Sequence, residues 1–471
     1  MSARPDTAAP RGEAGRPGYR AVRLLTRALL GLFYREIRLV DPHRIPAQGG
    51  LIVAANHHNS VVDAMLVIAA FPRPVTVLAN APLFRHPLIG PFLRIMGAVA
   101  VHRRAEAGDD PAKNTAMFAA AIGALHHGDA ILIFPEGRTR PEPALLPLHT
   151  GAARILLGAE NPARGPAGVV LLPVGLVFRE PGTFRAAVAW VVIGPPVPTS
   201  DCVETHRTSP QAAVRALTER ITDALRAQIA EAEDRHTLDL VMVLEEAWHD
   251  ERPETADSDP RSALAWRQQV TRAARYLADR EPMRVAELRR RVEHYRIRLD
   301  EAGLSSDELD GPLTRPVVLR AALRNLAGLT VALPLALWGI LCHIVPYALT
   351  GAVVRRLRRT AEEEATDKIA AGLILYPLSW IGEGWLIWEA AGQPGLLLFL
   401  ALLVPSGFLA LSWGERLVRV ERQVRALSQL GGDPLLRQRL RAERHALVGE
   451  LTVLAARVPE AVRVGQSGHE P

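Results

Sequence analysis

Cysteine is nearly absent from these 471 residues. Cys202 and Cys342 lie far apart, so no disulfide framework or cysteine metal motif can be read from them, and the pair fits a reducing compartment. Lysine is almost as scarce: of 56 basic residues only Lys113 and Lys368 are lysines. The net charge of +6 therefore rests on arginine, whose planar fork suits phosphates and anionic lipid headgroups. No nucleic-acid partner is expected. Residues 1–18, made mostly of Pro, Gly, Ala and Arg, lack an apolar core of signal-peptide length, so they are expected to be disordered and without a cleaved secretory signal. There is no G-x-S-x-G elbow for a serine hydrolase and no internal repeat. The adjacent histidines with a single acid lack the spacing of a zinc helix, so neither a metal nor a resident cofactor is expected.

The length suits about two or three domains. From Tyr19 to Val40, apolar residues recur at three- and four-residue spacing with arginines between them. This predicts a basic amphipathic helix, either lying in a membrane interface or packed on its own domain. From Leu51 to Pro198 short apolar runs alternate with helical stretches. The runs are 51–55, 75–78, 97–101, 130–134, 169–177 and 187–193, and the helices 62–70, 82–96, 115–126 and 150–157. Such alternation predicts an α/β fold, a central sheet flanked by helices, over residues 19–200. Residues 201–320 read as a charged helical extension, with periodicity over 208–233 and 261–300.

The membrane region is expected over 321–414. Its first run, 326–354, is long enough to span but carries Pro334, Pro346 and arginines at both ends, which leaves a re-entrant hairpin as the alternative to a straight span. The runs 369–388 and 396–413 would cross out and back, with Glu383 facing protein or water. Residues 415–471 read as an amphipathic cytoplasmic tail.

Two stretches carry chemistry. In Leu51–Asp63 an apolar strand ends at Asn56-His57-His58, and Ser60 begins a helix with Asp63 at its third position. An imidazole on the turn and a carboxylate in the first helical turn form a base with its orienting acid, able to take a proton from a hydroxyl. The plainer reading of the same residues is a capping box, Ser60-x-x-Asp63, with ordinary turn histidines. The second stretch, Ile131–Arg140, stops a strand at Pro135 and places Glu136, Gly137, Arg138 and Arg140 in one loop. Glycine lets backbone approach a ligand, arginine grips phosphate with two bonds, and the acid can meet a polyol hydroxyl or orient an arginine. A strand-ending turn with solvated charges is the alternative.

Together these stretches resemble the glycerolipid acyltransferase superfamily, which contains 1-acylglycerol-3-phosphate and glycerol-3-phosphate O-acyltransferases. Four boxes of that superfamily occur in order: 56–63; Gly97 to Arg103; Phe134-Pro135-Glu136-Gly137; and Leu172-Pro173-Val174-Gly175-Leu176. The segment 145–154, the helical extension and the apolar C-terminal runs are similar to the branch with fungal dual-substrate glycerol-3-phosphate/dihydroxyacetone-phosphate acyltransferases and their bacterial relatives. The resemblance implies a histidine general base with Asp63 as orienter. Its His-x4-Asp spacing selects His58, while the named branch, with one more intervening residue, selects His57; both remain open. It further implies that Arg103, Glu136, Gly137, Arg138 or Arg140, and His149 where the branch usually has lysine, hold a glycerol-phosphate headgroup. The implied partners are acyl-CoA or acyl-carrier protein as co-substrate, a glycerol-phosphate lipid acceptor and membrane lipids. The implied setting is phospholipid biosynthesis at a bacterial inner membrane, multi-pass, with a cytoplasmic catalytic domain. A catalytically inactive lipid-binding protein on the same fold and a membrane esterase or phospholipase are the competing classes.

Overall fold

The computed structural model describes residues 17–460 except 82–83, 85–88, 96–97, 102–110, 140–143, 162–164, 166, 180–187, 233–234, 252–259, 305, 307–308, 310–314, 358–363 and 433–434. The chain falls into two compact units, the first Met1–Arg235 with Thr360–Thr366 and the second His236–Arg359 with Asp367–Pro471.

In the first unit, helix α1 (Pro17–Phe33) is followed by strand β1 (Glu36–Val40). The helix expected to reach Val40 ends earlier because residues 36–40 pair in parallel with Val188–Val192. Strand pairing overrides a local helical pattern, and Ile37 and Val40 suit a strand. Helix α1 buries Tyr19, Thr26, Leu30 and Phe33, while Leu24 and Leu25 face outward. Two of its arginines bind the far end of the next helix: Arg27 Nε donates to Ala69 O at 3.0 Å and Arg23 to Phe71 O. Cations there offset the negative end of that helix.

The remaining strands are β2 (Leu51–Ala55), β3 (Val75–Asn80), β4 (Val99–Val101), β5 (Ala130–Ile133), β6 (Val170–Arg179) and β7 (Val188–Ile193). The seven strands run in the order β1-β7-β6-β2-β5-β3-β4. Every neighbouring pair is parallel except β6 with β7. Strand β2 lies at the centre and every residue in it is buried, which is why its sequence is a continuous apolar run rather than an alternating one. The helices α2 (Val61–Ala70), α3 (Ile89–Ile95), α4 (Pro111–His126) and α5 (Gly151–Ala159) connect the strands. Of the helix expected over 82–96, the described part is α3. Helices α6 (Ser200–Thr208) and α7 (Pro210–Arg226) also belong to this unit, with α7 against α5 and β6, whereas the sequence places the change of architecture at residue 200.

The second unit contains α8 (Arg235–Glu251), α9 (Pro260–Ala278), α10 (Pro282–Ala302), α11 (Arg315–Leu357), α12 (Glu364–Gly432) and α13 (Leu436–Ala456). The periodicity of 261–300 is divided at Pro282, which takes the first position of α10, where its missing N–H leaves no broken bond. Leu244, Leu288, Tyr295, Leu447 and Leu451 share one core, so the tail segment α13 folds back onto the helical extension. Arg298 binds Glu443 at 2.7 Å and Arg291 binds Glu450 across that seam.

The run 326–354 lies within α11, one helix with Pro334 and Pro346 inside it rather than a broken hairpin. Helix α12 bends at Gly392, whose φ of +65° and ψ of −160° are open to glycine alone. Its two arms fold on each other, with Gly384 against Leu396 and Phe399. Trp413 Nε1 donates to Leu329 O at 2.9 Å, joining the second arm to α11. Segments Gly328–Arg356 and Asp367–Val418 are long and apolar enough to cross a membrane, and their apolar stretches are mostly unburied, leaving an exterior suited to lipid.

Candidate active site

Sheet register brings the two chemistry-bearing stretches together. Strands β2 and β5 are parallel neighbours, with Ala54 opposite Ile133. Their following loops, 56–60 and 134–139, therefore leave the sheet at the same edge. In open α/β sheets that carboxyl edge is where ligands collect.

The first loop is fastened before its histidines are aimed. Asn56 is fully buried, donates from Nδ2 to Leu176 O at 2.9 Å and accepts from Leu176 N at 2.6 Å, so it is joined to β6 twice. Ser60 does not cap α2 through its side chain; its backbone sits at φ +50°, a conformation that costs about 1–3 kcal/mol in a non-glycine residue. The bonds at the helix start come from Asp63 rather than Ser60. Asp63 is buried, and its Oδ2 accepts from His57 Nδ1, His58 N and Asn59 N, each at 2.8 Å. Its other oxygen, Oδ1, is buried with no hydrogen-bond partner among the described residues.

Of the two histidines, it is the ring of His57 that meets the carboxylate, while His58 meets it through the main chain. The His57-x5-Asp63 alternative is thus the one with base geometry. With Nδ1–H directed at Asp63, a neutral His57 ring presents its lone pair at Nε2. The ring also stacks on Phe134, centroids 4.1 Å apart and planes 14° from parallel. Two contacts therefore fix its plane.

Glu136, expected at the headgroup, is tied to two main-chain amides. It is buried; Oε1 accepts from His57 N at 2.7 Å and Oε2 from Leu146 N at 2.9 Å. It braces the histidine turn against the 145–146 segment. Gly137 has φ +68°, and a Cβ there would lie 2.5 Å from His149 Cδ2, so the imidazole of His149 rests directly on this glycine. Arg138 is exposed beside it. Gly137, Arg138 and His149 thus form one rim next to His57. Arg103 and Arg140 lie outside the described residues.

Burial pushes the Glu136 carboxyl above its ordinary range, against the opposing effects of the Leu146 and His57 amides and the nearby histidine charges. A carboxyl raised in the folded state favours folding most while it is protonated. Its contribution is complete below the unfolded-state value and is lost as pH rises through the folded value. Glu136→Gln should therefore flatten the fall of Tm with rising pH across that window. It should also lower stability by about 1–3 kcal/mol, because an amide offers only one oxygen to two main-chain donors. Thermal unfolding of both proteins from acid to neutral pH checks this; parallel curves would refute it.

Sequence reasoning missed several supporting residues. Asn56 and Phe134 lay inside the motifs, but nothing in their spacing shows a bond to Leu176 or a stack on His57. Tyr34 gave no signal at all. It is buried, its hydroxyl accepts from Asn59 Nδ2 at 3.0 Å, and burial, reinforced by the nearby Asp63 charge, pushes its phenol well up.

Residues 36–177, which hold all of these residues except Tyr34, match the family model described as Acyltransferase. This region is an acyltransferase-family domain. Glycerol-3-phosphate O-acyltransferase 2 of Saccharomyces cerevisiae is 28% identical, over 42% of this chain and 26% of that protein. An uncharacterized acyltransferase of Schizosaccharomyces pombe is 25% identical, over 45% of this chain and 44% of the relative. The chain thus spans less than half the length of these two curated relatives. The 1-acyl-sn-glycerol-3-phosphate acyltransferase of Bacillus subtilis is 24% identical, over 42% of this chain and 89% of the relative. Among solved structures, the 1-acyl-sn-glycerophosphate (LPA) acyltransferase PlsC of Thermotoga maritima is 22% identical, covers 43% of this chain and 79% of that one, and has a TM-score of 0.31. The acyltransferase domain therefore occupies the sheet-bearing unit, and the apolar helices α11 and α12 lie outside the matched region.

Proposed function

We propose that this chain transfers a fatty acyl group from a thioester, acyl-CoA or acyl-carrier protein, to a hydroxyl of glycerol-3-phosphate or 1-acylglycerol-3-phosphate. The observation that carries the reading is the 2.8 Å contact of His57 Nδ1 with buried Asp63, inside an acyltransferase-family domain. In this reading His57 Nε2 takes the proton of the acceptor hydroxyl as its oxygen attacks the thioester carbonyl carbon. The C–O bond forms and the C–S bond breaks. The leaving thiolate then takes the proton back from the imidazolium, so the products are an ester and a free thiol. Asp63 holds the tautomer and offsets the transient positive charge. Gly137, Arg138 and His149 form the headgroup rim, to which Arg103 and Arg140 are assigned from the motif alone. Helices α11 and α12 would keep the enzyme at the bilayer into which acyl chain and product partition, with the acyltransferase domain on the cytoplasmic face of a bacterial inner membrane.

The test is to incubate the purified full chain with labelled palmitoyl-CoA or labelled palmitoyl-acyl-carrier protein and a panel of acceptors. Esterified product from glycerol-3-phosphate or 1-acylglycerol-3-phosphate is expected. No transfer to any acceptor with either donor would overturn the proposal in favour of a lipid-binding protein, and labelling by a serine-directed probe would favour an esterase.

A further inference from the structure

Helices α5, α6 and α7 line an open surface pocket of about 540 Å³ with Thr150, Arg154, His206, Gln211 and Arg215 among others, and no carboxylate among the described residues lines it. Among the described residues neither Arg154 nor Arg215 has an ion-pair partner. The guanidinium of Arg154 instead lies 5.2 Å from the centroid of the Phe118 ring, a contact that positions it without neutralising it. Thr150 precedes the first residue of α5, and Pro210 and Gln211 open α7, so the pocket lies at the positive ends of two helices. The pocket is built for a multiply charged anion.

Its position narrows the choice of anion. Thr150 directly follows His149, whose ring rests on Gly137, so the pocket begins just beyond the rim of the His57 site. An acceptor's phosphate is a few bonds from its reacting hydroxyl and must stay close to His57. The phosphates of a nucleotide-borne thioester are separated from the reacting carbonyl by a long arm and belong in a cationic pocket set back from the base. The volume falls in the range of small-molecule sites, about 300–1,000 Å³. A concave site of this kind suits a nucleotide better than the convex acidic surface of a carrier protein.

We infer that Arg154 and Arg215 form the subsite for the nucleotide phosphates of the acyl donor, which makes acyl-CoA the thioester this chain uses. The inference rests on the acyl-transfer reading but is tested apart from it. The full chain in lipid nanodiscs is compared as wild type, R154A/R215A and R154K/R215K. Binding of CoA and of adenosine 3′,5′-bisphosphate is measured by calorimetry, and kinetics are run with palmitoyl-CoA and with the phosphate-free thioester palmitoyl-N-acetylcysteamine. In R154A/R215A, both phosphate-bearing ligands should bind about tenfold or more weakly, as loss of charged hydrogen bonds predicts. The ratio of kcat/KM for palmitoyl-CoA to that for the phosphate-free donor should fall similarly, with acceptor KM unchanged. The lysine variant should retain part of both, since it keeps charge but not the fork. An unmoved ratio, or a rise in acceptor KM instead, would overturn the assignment. CoA binding that depends on the two arginines in a wild type unable to transfer acyl groups would end the transfer reading and leave the subsite standing. Intact transfer with CoA binding indifferent to the arginines would end the subsite alone.

Discussion

His57→Ala should lower kcat for acyl transfer by about 10²–10⁴-fold, the span general-base removal usually gives. The reason is geometric. The His57 ring has Nδ1 on Asp63 and its face on Phe134, so it is held in the tautomer that frees Nε2. His58→Ala should cost less than tenfold, because the bond of His58 to Asp63 is made by its amide, which alanine keeps. Steady-state kinetics on both variants, with circular dichroism to show that each stays folded, separates them. Equal losses, or a larger loss in His58→Ala, would assign the base to the other ring.

Asp63→Asn is the second large effect. Asparagine matches the carboxylate in shape and can leave an oxygen where three donors converge. Its NH₂ then occupies the place of Oδ1, which is buried without a partner among the described residues. Stability should fall by about 1–3 kcal/mol from the unsatisfied donor. The kinetic loss should be greater, about 10²–10⁴-fold in kcat, because no negative charge remains to offset the imidazolium formed in the transition state. Substrate KM values should change little, since Asp63 is buried behind the histidine rather than on the rim. A kcat within tenfold of wild type would mean that Asp63 shapes the turn and does nothing more.

How far these features were readable from sequence varied by their physical origin. The α/β core was legible because buried parallel strands must be continuous apolar runs, and β2, β3 and β5–β7 are such runs. Strand β1 was not, since five residues beside a helix adopt their neighbours' period until β7 pairs with them. The histidine box was legible as a motif, yet two adjacent histidines five and six positions before an acid differ only in how the turn winds. That turn depends on Ser60 at positive φ and on Asn56 bound to a strand 120 residues away, and neither is local information. Glu136 showed the limit of motif reading. An acid beside a glycine and arginines looks like a ligand, and its burial under two amides appears only once the 145–146 segment is in place. The docking of α13 onto α10 was illegible for a related reason, because charged amphipathic helices have many acceptable partners.

That docking restricts how the chain can thread a bilayer. Helices α10 and α13 belong to one folded body, so everything between them must come back to the leaflet face it left, and complete traversals can only be even in number. Three apolar arms lie in that interval: α11 and the two halves of α12 on either side of Gly392. An even number over three arms means that α11 and the two halves of α12 cannot each make a complete crossing.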